Sequence, residues 1–280
     1  MMYYLFFPQY DPIFFSFGFF SFSWYGFMYF FSFLVTKWFV IKNMRHFFYC
    51  KISKEEIINL LYFCFFFMII FGRIGYVLFY QFSFFCLYPL DIFKIWNGGM
   101  SFHGGLLGVV FAILFLCRKK NCFFCLTDLL VQIIPFCLGM GRLANFINGE
   151  LWGKVGINFP LLMFFPGSFF KDINLLNSNL EYQEIFDEYG LLPRHPVQMY
   201  EFFLEGILLF FILNIFVKKF RPLGSVSGLF LIFYGIFRIF SEFFREEDCK
   251  LCLFSCSIGQ ILSFFMVLFG LYILFCSYFF

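Results

Sequence analysis

Gly141-Arg142-Leu143-Ala144-Asn145-Phe146-Ile147-Asn148-Gly149-Glu150-Leu151-Trp152-Gly153 follows an apolar run, and the junction between the two decides how the chain is read. At the edge of a membrane-spanning helix an arginine, two asparagines and a glutamate are each costly to bury alone, so they are expected to be used. If the segment stays helical, Arg142, Asn145 and Asn148 recur at steps of three and share one face. A guanidinium fork beside amide donors and acceptors on that face suits it to clamp an anion. Gly149 and Gly153 tolerate sharp backbone departures, so the helix is expected to end inside the stretch.

Composition agrees with a lipid setting. Of 280 residues, 62% are apolar and 13% charged, which makes a soluble globular domain improbable. The 57 phenylalanines exceed what packing demands and are read as a codon-usage bias. A net charge of +3, spread in short clusters, gives no footprint for nucleic acid. Seven apolar stretches approach the ~20 residues that cross a bilayer. They run over 13–36, 57–80, 102–117, 126–144, 198–217, 225–244 and 257–278. The expected fold is an all-α integral membrane protein of about seven transmembrane helices. It forms one polytopic domain over 1–280, with a small external head inserted at 154–194.

Basic loops set the orientation. Lys37, Lys42, Arg45, Lys51 and Lys54 follow the first stretch, Arg118, Lys119 and Lys120 the third, and Lys218, Lys219 and Arg221 the fifth. The alternation places these loops in the cytoplasm, the N-terminus outside and the C-terminus inside. No Lys or Arg precedes Lys37, so no cleaved signal peptide is expected. Two Cys-x-x-Cys pairs, Cys122 with Cys125 and Cys249 with Cys252, then fall on opposite sides and cannot share one tetrahedral metal site. They are read as small buried hydrophobes, with a Cys249 to Cys252 disulfide left open.

With this topology, Arg73, Arg142 and Arg238 all lie in the outer halves of their spans. Arg73 is read equally as an anchor for backbone carbonyls or as part of a site. Glu242 lies four residues beyond Arg238, on the same helical face, and can hold that guanidinium while leaving donors free. The third stretch opens from outside with Gly98-Gly99-Met100-Ser101-Phe102-His103-Gly104-Gly105. Its helix N-terminus favours a phosphate, Gly104 makes room for substrate, and His103 is the candidate general base. Tyr25 and Tyr234 are read as head-group donors or interfacial anchors. His195, before Pro196 at the start of the fifth stretch, is read as a cap or an orienting partner. The acids Glu181, Glu184, Asp187 and Glu188 are read mainly as a solvated helix face.

Taken together, these motifs resemble the bacterial prolipoprotein diacylglyceryl transferases. The resemblance rests on Trp24-Tyr25-Gly26, Gly72-Arg73-Ile74-Gly75-Tyr76, the Gly98 to Gly105 run and the Gly141 to Gly153 signature. Arg194-His195-Pro196, Tyr234-Gly235-Ile236-Phe237-Arg238 with Glu242, and Phe244-Arg245-Glu246 complete it. It implies that Tyr25, His103, Arg142, Asn145, Glu150, Gly153, Arg238 and Glu242 build the site, with Arg142 and Arg238 holding phosphatidylglycerol. It also implies a second substrate, a prolipoprotein whose signal peptide ends in a lipobox cysteine, and no cofactor or metal. The thiol of that cysteine would attack the glyceryl carbon bearing the phosphate and release glycerol phosphate, in the bacterial inner membrane. Ser23 and Lys154 depart from the family pattern, in which histidine and arginine are frequent.

Two other readings remain. A lipid transporter or flippase would also place arginines and glycine breaks in its spans, but it predicts polar residues continuing to the inner face. Apart from Asp128, the inner halves are nearly pure hydrocarbon. A membrane scaffold would leave the intramembrane arginines unexplained.

Overall fold

In lipid a backbone polar group finds no partner outside its own segment, so apolar runs of membrane length close their hydrogen bonds as helices. The computed structural model follows this rule; it describes residues 4–17, 20–44, 52–79, 81–94, 99–118, 122–157, 159–176, 180–246 and 257–279. In chain order the elements are β1 (Leu5–Phe6), β2 (Ile13–Phe17), β3 (Phe20–Ser23), α1 (Trp24–Asn43), α2 (Lys54–Phe79), α3 (Phe82–Leu87), α4 (Phe102–Cys117), α5 (Phe123–Leu130) and α6 (Ile134–Ile147). After these come β4 (Met163–Phe164), α7 (Phe169–Leu175), α8 (Leu180–Tyr189), β5 (Pro193–Arg194), α9 (Val197–Glu201), a π-helical segment (Phe202–Leu208), α10 (Leu209–Phe216), α11 (Ser225–Glu242) and α12 (Ile258–Phe279).

The protein is thus a helical integral membrane protein. Among the described residues five helices are long and apolar enough to span a bilayer, six if the broken pair α5 and α6 is one span. The expected seventh, α4, has 16 residues, about 24 Å at 1.5 Å per residue, and falls short of the ~30 Å hydrocarbon core. The first span also begins later than expected. Strands β2 and β3 pair antiparallel there, with Asp11 Oδ1 accepting from the Ile13 amide at 2.8 Å, and α1 starts only at Trp24.

Contacts divide the chain into two compact units, Met1–Leu34 with Val131–Phe280, and Val35–Leu130. In the second, α2 and α4 meet backbone to backbone. A Cβ on Gly104 would lie 2.3 Å from the Phe71 carbonyl oxygen, and one on Gly108 2.3 Å from that of Phe67. Small residues at this spacing are how helices approach closely where lipid offers no hydrophobic drive. Arg73 is buried there and donates to four carbonyls: Nε to Ile92 at 2.9 Å, Nη1 to Gly99 at 3.1 Å, and Nη2 to Asp91 at 2.7 Å and Lys94 at 3.2 Å. Of the two readings of Arg73, these contacts are those of the anchor. Cys122 Sγ lies 3.2 Å from Cys117 Sγ; Cys249 and Cys252 fall outside the described residues.

In the first unit, β1 pairs in parallel with β4, and β4 antiparallel with β5, so the chain's start is stitched to the section between α6 and α9. Helices α11 and α12 pack through small residues seven apart. Cβ atoms on Gly228 and Gly235 would lie 2.9 Å from the Gly270 carbonyl and 2.8 Å from that of Ser263. Helix α6 crosses the π segment at Gly139 and Gly206, where a Cβ on Gly206 would stand 2.8 Å from Gly139 Cα. Gly206→Val is therefore expected to cost about 1–3 kcal/mol by overpacking. Thermal melting in detergent checks this, and an unchanged melting temperature would mean that the two backbones do not touch.

Candidate functional site

The Gly139–Gly206 crossing has a consequence one turn further on. Arg142, three residues after Gly139, is carried against Glu201 and Glu205 at the two ends of the α9–π junction. Arg142 Nε is 3.2 Å from Glu201 Oε2, and its Nη2 is 3.5 Å from Glu205 Oε2. From α11, Arg238 Nη1 contacts Glu201 Oε1 and lies 3.8 Å from Glu205 Oε1, while Nη2 reaches Glu242 Oε2 at 3.1 Å. The i,i+4 pair expected from the sequence is therefore formed. Ser257 Oγ donates to Glu242 Oε1 at 3.1 Å, and Arg245 Nη1 stands 4.0 Å from Glu201 Oε1. Glu201 and Glu205 are 2% and 0% exposed. Charges so far from water persist only when paired, and here the two carboxylates hold two guanidinium planes side by side. Tyr234, on α11 one turn before Arg238, is also buried.

A second network adjoins Arg142 along α6. Asn145 Nδ2 donates to Tyr25 Oη and, at 3.2 Å, to Glu150 Oε1, to which Tyr25 Oη also donates. Gln198 Nε2 donates to the Glu150 carbonyl at 2.5 Å. The helix ends at Ile147, inside the expected stretch, and Gly149 takes a φ of 63°. That left-handed turn brings Glu150 back so that its amide reaches the Asn145 carbonyl at 3.1 Å. Asn148 becomes the cap, its side-chain oxygen buried without a hydrogen-bond partner among the described residues. Beside the network lies an apolar hollow of about 230 Å³ lined by Tyr10, Trp24, Leu143, Phe146, Ile147 and Met199.

Gly153 occupies a junction of chains: its amide donates to the His195 carbonyl at 2.8 Å, and it bridges to Arg245. A Cβ there would lie 2.4 Å from the Phe244 carbonyl, so the position admits no side chain. Lys154 Nζ donates to the Phe243 carbonyl at 3.1 Å. His195 packs against Phe159 and Phe244, with Nδ1 3.3 Å from Tyr200 Oη. Burial holds its pKa below the ordinary 6.5. The neutral ring is what the fold accommodates, so stability is expected to be full above about pH 6.5 and to fall as acid protonates the buried imidazole. Melting curves between pH 5 and 8 test this; a His195→Asn chain with the same acid dependence would refute it.

Thus the structure gathers Tyr25, Arg142, Asn145, Glu150, Arg238, Glu242 and Tyr234 into two adjoining networks, with Gly153 and His195 at the junction beside Arg245. His103 and Gly104 belong to the other unit. His103 lies in the first turn of α4 behind the Ser101 cap, whose Oγ accepts from the Gly104 amide at 3.3 Å; its side chain, and Gly98 of the same motif, lie outside the described residues. Gly104 is packed against α2 as above. The sequence reading assigned nothing to Glu201 or Glu205. The signal was two acids four residues apart in an apolar run, facing arginines that needed counterions.

The chain matches the family model described as prolipoprotein diacylglyceryl transferase over residues 12–276. A protein of Wigglesworthia glossinidia brevipalpis named phosphatidylglycerol--prolipoprotein diacylglyceryl transferase is 54% identical over 271 residues, 96% of each chain. Proteins with the same name from Citrobacter koseri and Pectobacterium atrosepticum are 50% and 51% identical, over 98% of this chain and 96% of theirs.

Proposed function

Because the chain belongs to the prolipoprotein diacylglyceryl transferase family, we propose that it moves the diacylglyceryl group of phosphatidylglycerol onto the lipobox cysteine of a prolipoprotein, with Arg142 and Arg238 holding the lipid's phosphate. It is a transferase of a bacterial membrane, crossing it several times. The observation that carries the site reading is the convergence of two guanidinium groups, from α6 and α11, on the same buried carboxylates. Glu201 and Glu205 fix the two forks without neutralising every donor, so an arriving phosphate meets preorganised N–H groups.

In the reaction the precursor's thiol, with an ordinary pKa of about 8.5, gives its proton to His103. The thiolate attacks the glyceryl carbon bearing the phosphate. A C–S bond forms, the C–O bond breaks, and glycerol phosphate departs with the electron pair, its charge held by Arg142 and Arg238. Tyr25, Asn145 and Glu150 position the lipid head or the peptide beside that phosphate, and Tyr234 and His195 line the approach. The membrane is the inner one, and the site faces the periplasm, with the N-terminus outside, the C-terminus inside and residues 154–194 as a periplasmic head on a single polytopic domain.

Purified protein incubated with phosphatidylglycerol and a lipobox peptide should yield a peptide heavier by one diacylglyceryl group on cysteine, read by mass spectrometry. A peptide of unchanged mass would overturn the assignment, and full activity in His103→Ala would remove that residue as the base.

A further inference from the structure

Three cations and three carboxylates face one another around the π segment: Arg142, Arg238 and Arg245 against Glu201, Glu205 and Glu242. With all six ionised the cluster is formally neutral. A phosphodiester entering it would leave one uncompensated negative charge in surroundings that shield charge poorly, and such a charge is most cheaply removed by a proton.

The three carboxylates are not equally held. Glu201 contacts Arg238, has Arg142 at 3.2 Å, and has Arg245 at 4.0 Å. Glu242 has Arg238 at 3.1 Å and the Ser257 hydroxyl at 3.1 Å. Glu205 is fully buried, and its ion pairs are longer, 3.5 Å to Arg142 and 3.8 Å to Arg238. Ser241 Oγ reaches its Oε1 only at 3.5 Å, and Oε2 has no hydrogen-bond partner among the described residues. The groups facing it are Arg142 from α6, Arg238 and Tyr234 from α11, and Glu201 from its own helix. A phosphate that draws the two guanidinium groups toward itself weakens both of the pairs on which Glu205 depends.

We propose that binding of the anionic lipid is coupled to uptake of one proton by Glu205, which is a carboxylate in the empty site and a neutral carboxylic acid in the loaded one. This rests on the reading that Arg142 and Arg238 hold the phosphate. The step is a protonation from solvent, –CO₂⁻ plus H⁺ giving –CO₂H, with no redox change. Glu205 is then a positioning residue: its neutral form frees Arg142 and Arg238 for the phosphate, and its charged form parks them when the site is empty.

The test is calorimetric titration of the full-length protein, in phosphatidylcholine nanodiscs, with a soluble short-chain phosphatidylglycerol, in buffers of different ionisation heat between pH 6 and 9. We expect uptake of about one proton and a Kd that rises about tenfold per pH unit where Glu205 is ionised in the empty site. Infrared difference spectra should show a protonated-carboxyl band appearing on binding. Both signals should vanish in Glu205→Gln, whose Kd becomes independent of pH. If that chain does not fold, Glu205→Asp should keep the uptake and move the pH at which the slope begins. No proton uptake in the wild type, or undiminished uptake in Glu205→Gln, would overturn the proposal. Failure of the underlying reading looks different: Arg142→Ala and Arg238→Ala would then bind the lipid as tightly as the wild type.

Discussion

Arg142→Ala is expected to lower kcat/KM for diacylglyceryl transfer by about 10²- to 10³-fold, the usual loss when one preorganised donor to a developing oxyanion is removed. The fork of Arg142 is held by Glu201 at 3.2 Å, so little reorganisation is needed when charge grows on the leaving oxygen. Its loss also leaves two buried carboxylates to Arg238 and the more distant Arg245, which adds a stability cost. Lysine separates the effects. Arg142→Lys keeps one positive charge for the glutamates but cannot span two acceptors, so it should restore melting more than it restores rate. Steady-state kinetics with a lipobox peptide, beside melting curves, decide; an Arg142→Ala enzyme within tenfold of wild type would show that the phosphate is held elsewhere.

The second large effect is on stability. Arg194→Ala is expected to cost about 3–5 kcal/mol, because it strips the partner from a buried carboxylate. Arg194 and Asp172 are both 0% exposed, with Nε and Nη2 at 2.8 and 2.6 Å from Asp172 Oδ1. Arg194 Nη1 also donates to Glu246 Oε2 at 2.6 Å and to the Gly153 carbonyl at 3.1 Å. Asp172 Oδ2 in turn accepts from Ser168 Oγ at 2.7 Å and the Leu192 amide at 3.0 Å. One buried pair thus joins α7, β5, the Gly153 junction and the segment after α11 that carries Arg245 and Glu246. The double variant Arg194→Leu with Asp172→Leu removes both charges and should cost less than the two alanine variants added together. An Arg194→Ala chain that melts like the wild type would refute this.

What was legible in the sequence follows from contrast. Arg142, Arg238 and Glu242 stand out because charge inside hydrocarbon is rare, and the four-residue step from Arg238 to Glu242 is a helical property that needs no fold to interpret. Six of the seven apolar stretches kept nearly their expected bounds for the same reason. The misses are non-local. Two-residue strands such as β1 and β4 have no period to read, and their pairing joins Leu5 to Met163 across most of the chain. Strands β2 and β3 looked like the start of a span because their sequence is as apolar as that of α1. Glu201 and Glu205 were visible as letters, yet their role depends on Gly139 meeting Gly206, a crossing that no local pattern announces.

The last helix looks dispensable on a motif basis, since no candidate residue of the site lies in it. Yet Ser257, at its threshold, supplies the hydroxyl that steadies Glu242, a Cβ on Gly259 would lie 3.0 Å from that carboxylate, and α12 lies along α11 through shared backbone contacts. A premature stop codon just upstream of Ser257 would leave every signature motif readable in the gene. It would nonetheless unmoor the brace behind Arg238, so a genome survey scoring only motifs would count a dead allele as intact.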